Sequence, residues 1–324
     1  MKDTLQARCQ RFIEARDMIK NTFRWESSYL PPVCANLFCA KDILPEEEKL
    51  RACRDLINRN TGIFSSFRGN IRIPLACMLS MEADPEGKFQ QAKDLYQALK
   101  QYFFGSDYLA LASFLLTDYE CSEERLGRGK KIYRMMKDEH PFLTSSEDSI
   151  FAVLMAWSPQ TNEAMIADME ACYRILKDRF HDSDCVQTMT HILAMEEGDS
   201  AVKCGRVFSL YDAIERNGGK YGKHYELATL AALAMLKADP EQLARDMMEA
   251  DGFLAAQKGY GFWGIGRKMR LMHAAMIVSD EYIPHDAVDR AALTGTISLI
   301  IAQQIAMCAV MASTAAASTA SSGH

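Results

Sequence analysis

CYRILK, at residues 172–177, decides how this chain is read, because it is not alone. LYQALK stands at 95–100, IYRMMK at 132–137 and LYDAIE at 210–215, and the four align without a gap. Their tyrosines, Tyr96, Tyr133, Tyr173 and Tyr211, are 37, 40 and 38 residues apart. Fainter copies flank the series, DLINRN at 55–60 and FLAAQK at 253–258. Self-similarity at such a fixed period marks a chain built from stacked supersecondary units.

What surrounds each copy recurs as well. Upstream lies a short apolar segment, in turn IPLACMLSM, YLALASFLL, IFAVLMAWS, VQTMTHILAM, LATLAALAML and RLMHAAMIV. A polar turn follows, then the longer amphipathic segment that carries the tyrosine. Apolar residues recur at i, i+3 and i+4 through both segments, and no stretch alternates with period two for long, so both are expected to be helices. Asp84-Pro85-Glu86 and Asp239-Pro240-Glu241 read as explicit helix starts. Each supplies an acidic cap, a proline in the first turn and an acid against the helix dipole.

The fold expected is therefore all-α, with six or seven helical hairpins stacked as an α-solenoid or α/α toroid and essentially no strand. The period of 37 to 43 residues is longer than the ~34 of tetratricopeptide repeats. One domain is expected over 1–316, with N-terminal helices at 1–60, repeats at 61–280 and an apolar helix at 285–316 packed on the repeats. A flexible tail would occupy 317–324.

Composition limits the function classes. The chain has 324 residues, 48% of them apolar and 25% charged, which suits a well-packed soluble protein. A net charge of −6 gives no general nucleic-acid footprint, and none is expected as a partner. The ten cysteines are scattered without a C-x-x-C, which suits buried thiols in a reducing cytoplasm better than a disulfide frame or zinc site. The opening MKDTLQARCQRF mixes charges and lacks the apolar core of a signal peptide. From Ala291 to Gly323 no residue is charged, yet Gln303 and Gln304 interrupt the segment and no basic anchor follows it. A helix buried against the protein is expected there rather than a membrane span.

KGYGFWGIGRKMR, 258–270, contains the spacing G-x-G-x-x-G at Gly259, Gly261 and Gly264. A dinucleotide fingerprint needs a strand before it, and the preceding EQLARDMMEADGFLAAQ reads as helix. The glycines are expected to supply positive φ in a tight turn, with Phe262 and Trp263 tucked under the next helix. The stretch is the last of a series of aromatic loops: NTGIFSSFRGN (60–70), QYFFGSD (101–107), HPFLTSSED (140–148), DRFHDSD (178–184) and KYGKHYE (220–226).

Stacking would bring these loops to one edge, and the candidate binding residues are taken from them: Arg68, Asn70, Asp107, Glu147, Asp148, Asp184, His224, Glu226, Trp263, Arg267 and Arg270. The plain reading of the acids is as helix caps; the sharper one is a polar pocket with aromatic walls. The tyrosines are read as rings packed between hairpins, with the hydroxyls reaching a polar edge. His191 and His273 lie on apolar helical faces and read as core histidines with backbone partners. DRFHDSDC, with His181, Asp184 and Cys185, imitates a metal cluster but reads as a turn and cap.

NTGIFSSFRGN, HPFLTSSEDSIFAVLMAWS, GYGFWGIGRKMRLMHAAMIV and IIAQQIAMCAV together resemble a bacterial family, found mainly in Firmicutes and catalogued as domain of unknown function 4003. The resemblance covers most of the chain and implies that the Gln-Gln tail is part of the fold. It implies no activity, cofactor or catalytic residue.

No H-E-x-x-H, P-loop or G-x-S-x-G is present. The expected function is thus a cytoplasmic, non-enzymatic helical-repeat protein without a cofactor, binding a peptide, a protein segment or a small ligand on a concave face or the loop edge. The alternative is an α/α-toroid hydrolase with Glu147, Asp148 or Asp184 as acid and base beside His224 and the arginines.

Overall fold

A computed structural model describes residues 2–24, 30–69, 71–261 and 264–282. The expected C-terminal helix at 285–316 and tail at 317–324 lie outside the described residues, as do Asn70, Phe262 and Trp263. Among the described residues there are fourteen α-helices and no strand; a single isolated bridge pairs Tyr260 with Ile265.

The helices form where the apolar period and its caps place them. The first three are α1 (Asp3–Thr22), α2 (Leu30–Ala40) and α3 (Glu47–Asn60). Short and long helices then alternate: α4 (Arg72–Leu79), α5 (Pro85–Leu99), α6 (Asp107–Leu115), α7 (Glu123–Glu139), α8 (Ser149–Met155) and α9 (Asn162–Lys177). The alternation continues with α10 (Ser183–Leu193), α11 (Ser200–Arg216), α12 (Glu226–Met235), α13 (Pro240–Ala255) and α14 (Arg267–Ser279). Both Asp-Pro-Glu starts behave as read. The Asp84 carboxylate accepts the Gly87 N–H at 2.9 Å, and that of Asp239 accepts the Gln242 N–H at 2.8 Å. Ser106, Ser122, Thr161, Asp182 and Asp199 cap their helices in the same way, each satisfying an N–H that has no partner within the helix.

The chain divides into two compact units, with boundaries after Ile13 and after Trp157. In residues 14–157 the close helix pairs are α3 with α4, α5 with α6 and α7 with α8. In the other unit they are α9 with α10, α11 with α12 and α13 with α14. Each pair spans an aromatic loop, so the hairpin is a long helix followed by a short one. The sequence reading had placed the aromatic loops between hairpins. The physical reason for the difference is that five of the six loops carry a buried aromatic (Phe67, Phe103, Phe180, Tyr221, Tyr260) that draws the two helices together, while the α7–α8 loop buries Thr144, which donates to the Met136 carbonyl at 3.1 Å, and the polar turns bury no aromatic. Like helices also pack one repeat apart, α9 on α11 on α13 and α10 on α12 on α14 in one unit, α6 on α8 in the other.

The recurrent tyrosine has a packing role. Tyr96 sets its ring edge-on to Phe67 of the preceding aromatic loop at 5.2 Å, Tyr133 to Phe103 at 5.7 Å and Tyr211 to Phe180 at 5.4 Å. Such pairs contribute ~0.5–1.5 kcal/mol beyond area burial. The hydroxyls reach polar edges: Tyr96 donates to Ser66 Oγ at 2.9 Å, and Tyr133 to the Ser145 carbonyl at 3.0 Å. Short-helix C-termini are closed by donors from elsewhere. Arg125 and Arg128 donate to the Ala156 carbonyl after α8, and Gln160 to the Ala194 carbonyl after α10. Cations there also complement the negative end of the helix dipole.

Candidate functional site

The glycine-rich loop at 258–266 connects helix to helix. Gly259 and Gly261 have φ of +93° and +134°, the positive region expected of them. Gly264 answers to space instead: a Cβ there would stand 2.2 Å from the Gly259 carbonyl oxygen. Ile265 N–H donates to that same oxygen at 2.9 Å, closing the turn. Tyr260 is buried, its hydroxyl 3.0 Å from Nδ1 of His273, the equally buried histidine of α14. With no strand before it, the loop is a turn and not a phosphate cradle.

In residues 14–157 the nominated loop residues that the structure describes are each in contact with a neighbour. Arg68 donates to Thr61 Oγ1 at 3.1 Å and to the Asn58 carbonyl, closing the end of α3. Asp107 lies over Gly69, where a Cβ would come within 2.1 Å of its Oδ2. Glu147 hydrogen-bonds the Tyr108 phenol, and burial first, then the charges of Glu147, Asp107 and Asp148, push that phenol far above its ordinary range. Asp148 is buried in a capping box, where its Oδ2 accepts the Ser145 N–H at 2.7 Å. Asn70 lies outside the described residues.

In residues 158–282 the pattern repeats. Arg270 forks onto Asp251 with contacts of 2.7 and 3.0 Å, and Arg267 donates to the Gly218 carbonyl at 2.7 Å. Glu226 is buried over Gly222, where a Cβ would stand 2.0 Å from its Cδ, and accepts the His224 N–H at 3.3 Å. Exposed His224 pairs through Nδ1 with Asp182 at 2.7 Å, and Asp184 is exposed and two residues too late to cap α10. Burial raises the Asp182 carboxyl, but hydrogen bonds from His224 and the Cys185 N–H outweigh it and hold the group below its ordinary range. Asp182 is thus the acid that does what Asp184 was nominated for. The signal was its position three residues before the N–H it caps. Trp263 lies outside the described residues.

These contacts are local and link one loop to the next within each unit. No group of His, Cys, Asp and Glu side chains among the described residues is placed to hold a metal ion. A cleft of about 330 Å³ opens between α11 and the α12–α13 turn, lined by Val202, Arg206, Leu233, Ala238 and Leu243 among others. None of the nominated residues lines it. Its one charged wall, Arg206, is engaged with Glu196 Oε2 at 2.5 Å, and Glu196 in turn meets Lys237 at 3.0 Å.

Two features were not foreseen from the sequence. One is a buried charge: Lys203 of α11, 1% exposed, is bonded to Asp168 of α9 and to the Leu193 and Glu196 carbonyls. The other is a row of exposed aromatics. Phe64, Phe104 and Phe142 are 96%, 92% and 99% exposed on three successive aromatic loops, with Ile63 beside the first at 73%. The loops that carry them are in contact. Tyr96 at the end of α5 meets Ser66, Asp107 covers Gly69, and Tyr108 meets Glu147. Single exposed apolar side chains are ordinary on a protein surface; what sets these apart is that one stands on each of three successive loops that touch.

Three comparisons with known proteins bear on the chain. A family model described as protein of unknown function (DUF4003) matches residues 17–306. A Bacillus subtilis (strain 168) protein described as "Uncharacterized protein YeaA" is 23% identical over 333 aligned residues, covering 99% of this chain and 98% of that protein. No solved structure matches.

Proposed function

The chain belongs to the DUF4003 family of proteins of unknown function, and from that premise we propose that it is a non-enzymatic helical-repeat protein that docks a protein segment on the loop edge of residues 14–157. The observation that carries this reading is the row of Phe64, Phe104 and Phe142, each more than nine-tenths exposed. Aromatic side chains bury large area for few lost rotamers, and they dominate the energetics of protein interfaces. Like helices packed one repeat apart support a solenoid-type array, whose purpose in general is an extended binding surface. The hydrolase alternative loses its acid–base pair, because Asp148 is locked in its cap, Glu147 serves Tyr108, and Asp184 stands apart from the cleft. Nine described cysteines are free thiols, in keeping with a cytoplasmic setting. No described helix is long and apolar enough to cross a membrane.

The test is a peptide array probed with the folded chain and with a variant carrying Phe64→Ser, Phe104→Ser and Phe142→Ser. Because the three rings are in solvent, the variant should unfold at the temperature of the parent. Peptides retained by the parent and released by the variant are the expected result. Equal retention by both would refute the reading.

A further inference from the structure

The charges beside the three phenylalanines are graded. The windows 58–72, 98–112 and 136–150 hold Phe64, Phe104 and Phe142 at the same offset. The first contains Arg59, Arg68 and Arg72 and no acid. The second balances Lys100 against Asp107. The third sets Lys137 against Asp138, Glu139, Glu147 and Asp148. With Asp148 set aside as buried in its cap, the side chains that are not buried run from basic (Arg59, Arg68, Arg72) through balanced (Lys100, Asp107) to acidic (Lys137 against Asp138, Glu139 and Glu147), in the order of the exposed rings. The loops are successive neighbours, so each step is about one helix–helix spacing, ~10 Å.

A surface with this pattern is complementary to itself turned end for end. A two-fold axis at the middle loop would place the basic loop of one copy on the acidic loop of the other, twice, and the neutral loop on its equivalent. Isologous interfaces have this property, in which residue i meets j and j meets i. The same axis sets the Phe64 ring of each copy against the Phe142 ring of the other and Phe104 against its equivalent, so that the exposed rings meet in pairs. The area is of the right order. Three exposed phenylalanines offer roughly 150–250 Å² each, and with Ile63 and the flanking charges this approaches the ~800 Å² per partner of a stable interface.

Resting on the docking reading above, we infer that the partner of this edge is a second copy of the chain, bound antiparallel about a two-fold axis through the Phe104 loop. Two charges allow the pairing to be tested without touching the fold. Arg59 and Glu139 are exposed at the C-terminal ends of α3 and α7, and each leaves its side chain in solvent. In the antiparallel pair Arg59 of one copy stands against the acidic loop that carries Glu139 of the other.

The experiment is sedimentation equilibrium of the full chain over a range of concentrations at low salt. A concentration-dependent dimer is expected, weakened by salt because the end loops attract through screened charges. Phe104→Ser should raise its Kd by about tenfold or more, a change of ~1.4 kcal/mol or more. Arg59→Glu and Glu139→Arg should each weaken the dimer, and the two reversals combined should restore it to within about threefold of the parent. That rescue requires both residues to face each other across the interface. A chain that stays monomeric, or a dimer indifferent to Phe104→Ser and not rescued by the double reversal, overturns the inference. If the chain is monomeric and the phenylalanines instead govern retention on the peptide array, the docking reading stands and the second copy falls. If they govern sedimentation with anionic lipid vesicles and nothing else, both readings fall and the edge belongs to a lipid surface.

Discussion

Replacing Lys203 by methionine tests whether the buried ion pair of α11 holds three helices together. The Lys203 Nζ makes three contacts, one for each of its hydrogens: Asp168 on α9, the Leu193 carbonyl at 3.1 Å and the Glu196 carbonyl at 2.9 Å. The two side chains are 2% and 11% exposed. Methionine keeps the length and removes the charge, which leaves the Asp168 carboxylate with the Ser200 hydroxyl at 2.6 Å and the weak Cys172 thiol donor at 3.7 Å, both on Oδ1, and takes one donor from each of the Leu193 and Glu196 carbonyls. Breaking a buried pair from one side costs about 3–5 kcal/mol, because the remaining charge stays desolvated. For a unit of this size that corresponds to a fall in Tm of about 6–20 °C. The assay is urea denaturation followed by circular dichroism on Lys203→Met, Asp168→Leu and the double variant. The double change should cost less than either single one, since no uncompensated charge remains. A loss below ~1 kcal/mol for Lys203→Met, or a double variant whose cost is the sum of the two, would refute the reasoning.

Three further outcomes follow from particular positions. Gly252 is exposed within α13 with nothing within 4 Å of a built Cβ, so Gly252→Ala should stabilise by ~0.5–1 kcal/mol, whereas Gly264→Ala, 2.2 Å from a backbone oxygen, should destabilise; thermal melts of the pair give opposite signs. The Asp212 carboxyl is held low by its hydrogen bond from Arg179, and Asp182 by His224 and Cys185 against the opposing effect of burial. Depressed carboxyls stabilise fully above the unfolded pKa of ~3.9 and lose that contribution as pH falls through the lower folded value. Urea midpoints should therefore be level down to about pH 5 and drop below about pH 4, with a shallower drop for Asp212→Asn. Burial pushes the Cys9 thiol up to about 12 and that of Cys53 up to about 11, so at pH 8 both should resist a disulfide reagent until denaturant is added; rapid labelling of the folded chain at either position would contradict the packing.

Much of the fold was legible because it is periodic. The tyrosine spacing and the two Asp-Pro-Glu starts are local signals, and the structure turns each of them into a helix with its cap. What the sequence blurred depends on loop backbone and on distance. In FSSF (64–67) and FF (103–104) either ring could tuck inward, and only the path of the loop makes Phe67 and Phe103 the buried ones and leaves Phe64 and Phe104 outside. Arg270 finds Asp251 across a turn whose conformation its glycines set, so no spacing rule predicts the pair. Lys203 could have been suspected, because it lies on the same stripe as Val207, Leu210 and Ile214, where a lysine interrupts an apolar face. The candidate residues were chosen for being polar and on one edge, and the same two properties make them good caps, so chemistry alone did not separate the roles.

The edge-on tyrosine contact has a bearing on how such a chain changes in length. Phe67 with Tyr96, Phe103 with Tyr133 and Phe180 with Tyr211 are the same joint made three times, with centroid separations of 5.2 to 5.7 Å. Excision of the segment from one loop phenylalanine to the next would bring Phe67 up against Tyr133 and recreate the joint that was lost. A duplication would insert one more. Deletions and duplications cut between one buried phenylalanine and the next should therefore keep more stability than cuts that separate Tyr96, Tyr133 or Tyr211 from its partner ring, a difference that thermal melts of the two kinds of variant would read.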